Sequence, residues 1–272
     1  MTGNLRCDPI FRRSCAFLFM LLCVSPSGKA QAPAKSPSLP ALLERLGKTV
    51  EVFREQFPAV ACTEKISQVK LGSKGEVVQR QESQSDYLIF MKLFNNDLLV
   101  EESRVQKGRA QKHNGTPLMI TNGFATLILI FHPIYQDCFE FSQVSEELLE
   151  GRRVVHLHFQ HIKGTRSTAA LRIGTKDEPL DLQGNAWVEP DDAAVVRIAA
   201  DLSVPLTERG LYTFSADVHY APVRFASTAG AFWLPSSATI EVGTRLQHWR
   251  NMHWFTDYRR FSVTSESVIQ KK

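Results

Sequence analysis

The 272-residue chain lacks an apolar run long enough to cross a membrane as a helix; the run AFLFMLLCV (Ala16 to Val24) has nine residues, against the about 20 that a span requires. It lacks the glycines of a Walker or Rossmann phosphate loop, a G-x-S-x-G elbow, and an S-x-x-K within a supporting set, so no nucleotide-binding or serine-hydrolase signature is present. Charge of one sign is also lacking. The formal net charge is +4, and no concentrated basic face of the kind that nucleic acid requires is evident, which argues against a nucleic-acid partner.

What is present begins with a leader. Arg6, Arg12 and Arg13 precede the apolar run, and a small, polar stretch follows it from Ser25 to Ala32, the three-part pattern of an export signal. Cleavage after Ala30 is expected, because cleavage after Ala32 would leave Pro33 as the next residue. Leu22 before Cys23 departs from the small residue that precedes a lipidated cysteine. Loss of residues 1–30 removes four basic side chains (Arg6, Arg12, Arg13, Lys29) and one acid (Asp8), and lowers the net charge from +4 to +1. The mature chain is expected in the periplasm or outside the cell, with no transmembrane span. Residues 31–38 read as a Pro/Ser-rich linker, 39–268 as one domain and 269–272 as a tail.

Five cysteines become two when the leader goes, Cys62 and Cys138. An even pair in an exported protein points to one disulfide, worth at most roughly 4 to 4.5 kcal/mol on the chain-entropy model; the alternative is two buried free thiols.

Leu39, Leu42, Leu43, Leu46, Val50, Phe53 and Phe57 recur at three- and four-residue steps, one apolar stripe of a helix with Ser38 as cap and Pro58 as stop. From Val60 the period changes to two. Tyr212, Phe214, Ala216, Val218 and Tyr220 alternate with Thr213, Ser215, Asp217 and His219, a strand with one dry face. One run breaks this pattern. FATLILIF (Phe124 to Phe131), after Asn122 and Gly123 and before His132 and Pro133, reads as a short helix capped by Asn122, apolar nearly all round, to be covered by a sheet or by a ligand.

The second half carries a resemblance. GNAWVEPDDAAVVRI (Gly184 to Ile198), FWLPSSATIEV (Phe232 to Val242) and FTDYRRFSV (Phe255 to Val263) resemble the last strands of the periplasmic lipoprotein-carrier (LolA/LolB-like) half-barrel superfamily, and FPAVAC (Phe57 to Cys62) resembles a segment of its uncharacterised exported members. The resemblance implies an α+β fold: a curved antiparallel half-barrel of about 10 to 12 strands, its concave face covered by the N-terminal helix and the short apolar helix. It implies a site that holds acyl chains, no cofactor, and no catalytic residue. Trp187 and Pro235 match its motifs, with roles in packing and strand termination. The expected ligand cavity is lined by Phe124, Leu127, Ile128, Phe131, Tyr212, Phe214 and Val218.

Two other readings are open at this stage. One is an envelope interaction or stress-sensing protein with a protein partner and no small ligand. The other is a metal-dependent hydrolase built on His156 and His158, which share a strand face but lack a third ligand, since His161 has the wrong parity. His248, His253 and Asp257, among Trp249, Trp254, Tyr258 and Arg245, Arg250, Arg259 and Arg260, suit either an anionic headgroup or an amphipathic hairpin.

Overall fold

The computed structural model describes residues 36–56, 60–94, 97–106, 123–173, 176–226 and 230–260, all within one compact unit, Ser36–Lys272. The expected leader (residues 1–30), Phe57 to Ala59 and Asn122 lie outside the described residues.

Helix α1 spans Leu39–Gln56 and turns Leu42, Leu46, Val50 and Phe53 inward, the face set by the apolar stripe. Strands β1 (Val60–Leu71), β2 (Val77–Phe94) and β3 (Asp97–Gln106) follow. A 3-10 helix covers Phe124–Phe131, and the one-turn α2 covers Pro133–Gln136. The chain then runs through β4 (Phe139–Leu149), β5 (Arg152–His161), β6 (Ala170–Ile173), β7 (Lys176–Pro179), β8 (Leu182–Glu189), β9 (Ala194–Leu202), β10 (Leu211–Arg224), β11 (Ala231–Thr244) and β12 (His248–Arg260). Ten strands form one open, curved antiparallel sheet in the order β3-β2-β1-β12-β11-β10-β9-β8-β5-β4; β6 and β7 pair separately. The fold that the resemblance implies, a curved antiparallel half-barrel with an N-terminal helix, is the fold observed.

Because side chains alternate across a strand, the pairing register assigns one face of the sheet. Tyr87 stands beside Cys62, Ala238 beside His253, Val218 beside Ala238, Ile198 beside Val218, Ala186 beside Ile198 and Leu157 beside Ala186. All are buried, and this row continues into the core beneath α1 and the 3-10 helix. Gly184 belongs to the same row, opposite Phe159 and Ala200. A methyl group there would lie 2.0 Å from the Ala199 carbonyl oxygen, a backbone atom that cannot turn aside, so glycine permits the close approach of β8 and β9.

The apolar run forms a helix, but a 3-10 helix rather than an α-helix. Gly123, with φ 81°, precedes it without a side-chain cap, and His132 in extended conformation ends it. Asn122, the expected cap, lies outside the described residues. Leu127 to Phe131 are all buried, as expected for an element apolar on every side.

The expected disulfide is corrected: Cys62 and Cys138 are both free and buried. Cys62 lies on β1, third in the sheet, whereas Cys138 immediately precedes β4 at the opposite edge. The Cys62 sulfur engages Tyr258, and burial, with Glu64 nearby, pushes its thiol up to about 12. A thiol so buried stays protonated and unreactive at neutral pH.

Candidate functional site

The ends of α1, β9, β10, β11 and β12, together with the 3-10 helix, surround a cavity of about 490 Å³. The C-terminal half of α1 contributes Val52, Phe53 and Gln56; the 3-10 helix gives Ile128; the start of β9 gives Ala194 and Val195. The β10–β11 hairpin supplies Arg224, Phe225, Phe232, Trp233 and Leu234, and the end of β12 supplies Arg260. These residues converge because α1 crosses the concave face and because antiparallel pairing places Arg224 opposite Ala231 and Val60 opposite Arg260. Phe225 and Phe232 pack with ring centroids 5.8 Å apart. The Arg152 guanidinium lies 5.3 Å from the Trp233 ring, which helps to fix that wall.

Among the expected cavity residues, Ile128 lines this space. Leu127, Phe131 and Val218 are buried in the adjoining core, and Phe214 packs against it. Tyr212 is 39% exposed, because the register shifts between Leu211 and Thr213 and a bulge re-aims the side chain. The Phe124 side chain lies outside the described residues. Sequence periodicity did not single out Phe53, Val195, Phe232, Trp233 or the two arginines as a group. The only signal was the aromatic pair in FWLPSS with its flanking hairpin.

Farther along the same face lies a buried polar cluster. Glu64 on β1 accepts two hydrogen bonds from Arg104 on β3, from Nε at 2.6 Å and Nη2 at 3.0 Å, and pairs with Nδ1 of His253 on β12 at 2.9 Å. The side chains of Glu64 and His253 are wholly buried. Arg104 also lies 2.9 Å from Glu102 and packs over the Tyr87 ring at 4.8 Å. Glu102 in turn accepts from the Gly123 backbone N–H at 2.6 Å, tying the cluster to the start of the 3-10 helix.

Burial alone would raise the Glu64 carboxyl, but hydrogen bonds from His253 and Arg104 outweigh it and hold the group below the usual carboxylate range. Burial holds the His253 imidazole down, with Glu64 offsetting this only in part. Burial raises Glu102. Glu64 therefore contributes stability that is present above its unfolded value and is lost as the pH falls through its folded value. His253 acts in the same sense, because the unfolded chain takes up a proton below about pH 6.5 that the folded protein resists. Glu102 acts in the opposite sense and loses its share as the pH rises through its folded value. The urea midpoint is expected to fall between pH 7 and pH 5, and His253→Asn to reduce that slope. His132, held down by burial beside Glu51, keeps the remainder. A slope unchanged in His253→Asn would contradict this assignment.

The histidines read from the sequence do not assemble a reaction centre. His156 Nε2 faces Asn185 Oδ1 at 2.9 Å and its ring stacks on Trp187 at 4.9 Å. Among the described residues no group of three or more His, Cys, Asp or Glu side chains is placed to hold a metal ion. His248 pairs with Glu241 at 3.0 Å, and Asp257 sits exposed at a left-handed backbone position, φ 53°, so the expected His248, His253 and Asp257 cluster is divided. His161 brings Thr165 and Asp181 together, with Nδ1 2.9 Å from Asp181 and Nε2 3.2 Å from the Thr165 hydroxyl. Nε2 also faces the Arg166 carbonyl at 3.0 Å, and the Thr165 hydroxyl donates to the Ile162 carbonyl at 2.6 Å. The Thr165 hydroxyl proton is thus directed to the Ile162 carbonyl within its own turn, and the imidazole is not placed to take it from a nucleophile. This trio closes the turn after β5.

No protein-family model matches the chain, and no curated protein matches it. Similar solved structures include a DUF1329 family protein from Desulfovibrio piger, at 11% identity over 85% of this chain and 96% of that one, TM-score 0.44. A LolA superfamily protein from Nitrosomonas europaea is 10% identical over 83% of this chain and 94% of that one, TM-score 0.36. A Vibrio parahaemolyticus domain described as an outer membrane lipoprotein-sorting protein is 10% identical over 82% and 94%, TM-score 0.40. The open, curved antiparallel sheet covered by α1 and the 3-10 helix is the half-barrel architecture expected from the sequence.

Proposed function

We propose that this is an exported, non-catalytic binding or carrier protein of the cell envelope, which holds the apolar chain of a lipid or a lipoprotein acyl group in the cavity between α1 and the β10–β11 hairpin. The observation that carries this reading is the cavity itself. Its volume of about 490 Å³ falls within the about 300–1,000 Å³ of ligand sites, and an apolar wall with few polar groups suits an alkyl chain. The export signal read from the sequence supports a mature protein that works outside the cytoplasm. The described helices include none long and apolar enough to cross a membrane.

Filling the cavity tests this. Val52 lines it yet is 48% exposed, so Val52→Trp adds bulk at the opening without overpacking the core. Uptake of a neutral naphthylamine fluorophore is expected to weaken at least about tenfold, a change of about 1.4 kcal/mol. Equal uptake by the folded variant, or none by the unmodified protein, would contradict the reading.

A second reading, an envelope interaction protein, is favoured by one observation. Strand β4 ends the sheet and exposes Val144 and Leu148, an edge that suits addition of an extended partner segment.

A further inference from the structure

The arginines of the sheet divide into two groups. Arg197 is paired with Asp217 at 2.6 Å, Arg250 with Glu241 at 2.6 Å and Arg259 with Asp86 at 2.5 Å. Arg224 and Arg260 have no carboxylate partner among the described residues. Arg260 donates to the neutral amide of Gln56 and lies 6.0 Å from the Phe232 ring, whereas Arg224 ends β10 exposed. Both line the same cavity, where Asp192 is the only carboxylate among the described lining residues. Two guanidinium groups thus share an apolar opening with one acid, so that among the described lining residues positive charge is in excess where a ligand would enter.

We propose that Arg224 and Arg260 form an anion site at the mouth of the cavity, and that the ligand is an anionic amphiphile, with its carboxylate or phosphate between the guanidinium groups and its alkyl chain against Phe232, Trp233 and Leu234. This rests on the cavity's being a ligand site. Arginine suits the role because its planar fork meets two oxygens of a carboxylate or phosphate at once. Phe232 beneath Arg260 restrains that side chain, which reduces the entropy lost when the anion binds. The chain supplies contact area and the anion supplies selection, because a neutral head would leave the two cations with Asp192 as the one acid among the lining residues.

Titration of the protein with dodecanoate, dodecyl phosphate, dodecanol and inorganic phosphate tests this by calorimetry. Both anionic amphiphiles are expected to bind about tenfold more tightly than dodecanol, the size of two charge-assisted contacts partly screened by water. That ratio should fall toward one in the double variant R224Q/R260Q, and should shrink with added salt. Inorganic phosphate, which has no chain, should bind far more weakly than dodecyl phosphate. Equal binding of dodecanol and dodecanoate, or an unchanged ratio in the double variant, would overturn the anion site while leaving the carrier reading intact. Phosphate binding as strong as dodecyl phosphate would make this an anion site independent of the cavity and overturn the amphiphile. No binding of any of the three amphiphiles would instead defeat the carrier reading. Both arginines are exposed, so the substitutions are expected to leave the fold intact, which circular dichroism verifies.

Discussion

Replacing Glu64 by leucine is expected to destabilise the protein by about 3–5 kcal/mol, because it leaves the Arg104 charge and the His253 donor without the acceptor that holds both. The loss comes from the partners left behind rather than from the carboxylate itself. Glu64→Gln keeps an acceptor oxygen and should lose much less. Glu64→Leu combined with Arg104→Met removes the charge pair altogether and should recover most of the loss, since a buried ion pair replaced by apolar groups of similar volume is often neutral. Glu102, already raised by burial, is then expected to take up a proton. Urea unfolding of the three variants measures the differences. A Glu64→Leu loss below about 1 kcal/mol, the range of exposed ion pairs, would show that the cluster is hydrated and not a fixed part of the core.

Phe131→Ala is expected to cost a further class of stability, about 3–5 kcal/mol, through lost burial and the cavity left behind. The Phe131 side chain is wholly buried and stacks on Phe141 of β4 with ring centroids 5.4 Å apart. Its carbonyl accepts a hydrogen bond from Gln136 at 2.7 Å, so the end of the 3-10 helix is fixed by both its side chain and its backbone. The same substitution distinguishes packing from binding. Phe131 does not line the cavity, and the variant at a temperature where it is folded should bind a neutral fluorophore as the unmodified protein does. A stability loss under about 1 kcal/mol together with a large change in fluorophore affinity would make Phe131 a ligand contact instead.

The period-two and period-3.6 patterns decided most of the architecture, because each strand and the first helix must bury one face. Val218 and Ala216 alternate with Asp217 and lie in the core row, and Leu42, Leu46, Val50 and Phe53 face it from α1. The cavity was less legible. Tyr212 follows the alternation but a bulge turns it outward, and bulges leave no mark in a period-two pattern. The lining residues come from the ends of α1, β9, β10, β11 and β12, brought together by closure of the sheet rather than by sequence spacing. The disulfide reading failed for a related reason: counting cysteines says nothing about the six strands that lie between β1 and β4 in the sheet order. His253 was visible as a residue of interest, but its partner Glu64 lies 189 positions away. Pairing of the first and last long strands makes that contact, and the relevant register is a property of the folded sheet.

The most direct test of the carrier reading is mass measurement of the mature protein purified without detergent, recorded under native and then denaturing conditions. An excess mass is expected in the native spectrum, lost on denaturation and extracted into organic solvent as an acyl-containing, negatively charged species. A bare native mass, with no uptake of a neutral fluorophore or of dodecanoate by the same sample, would contradict it.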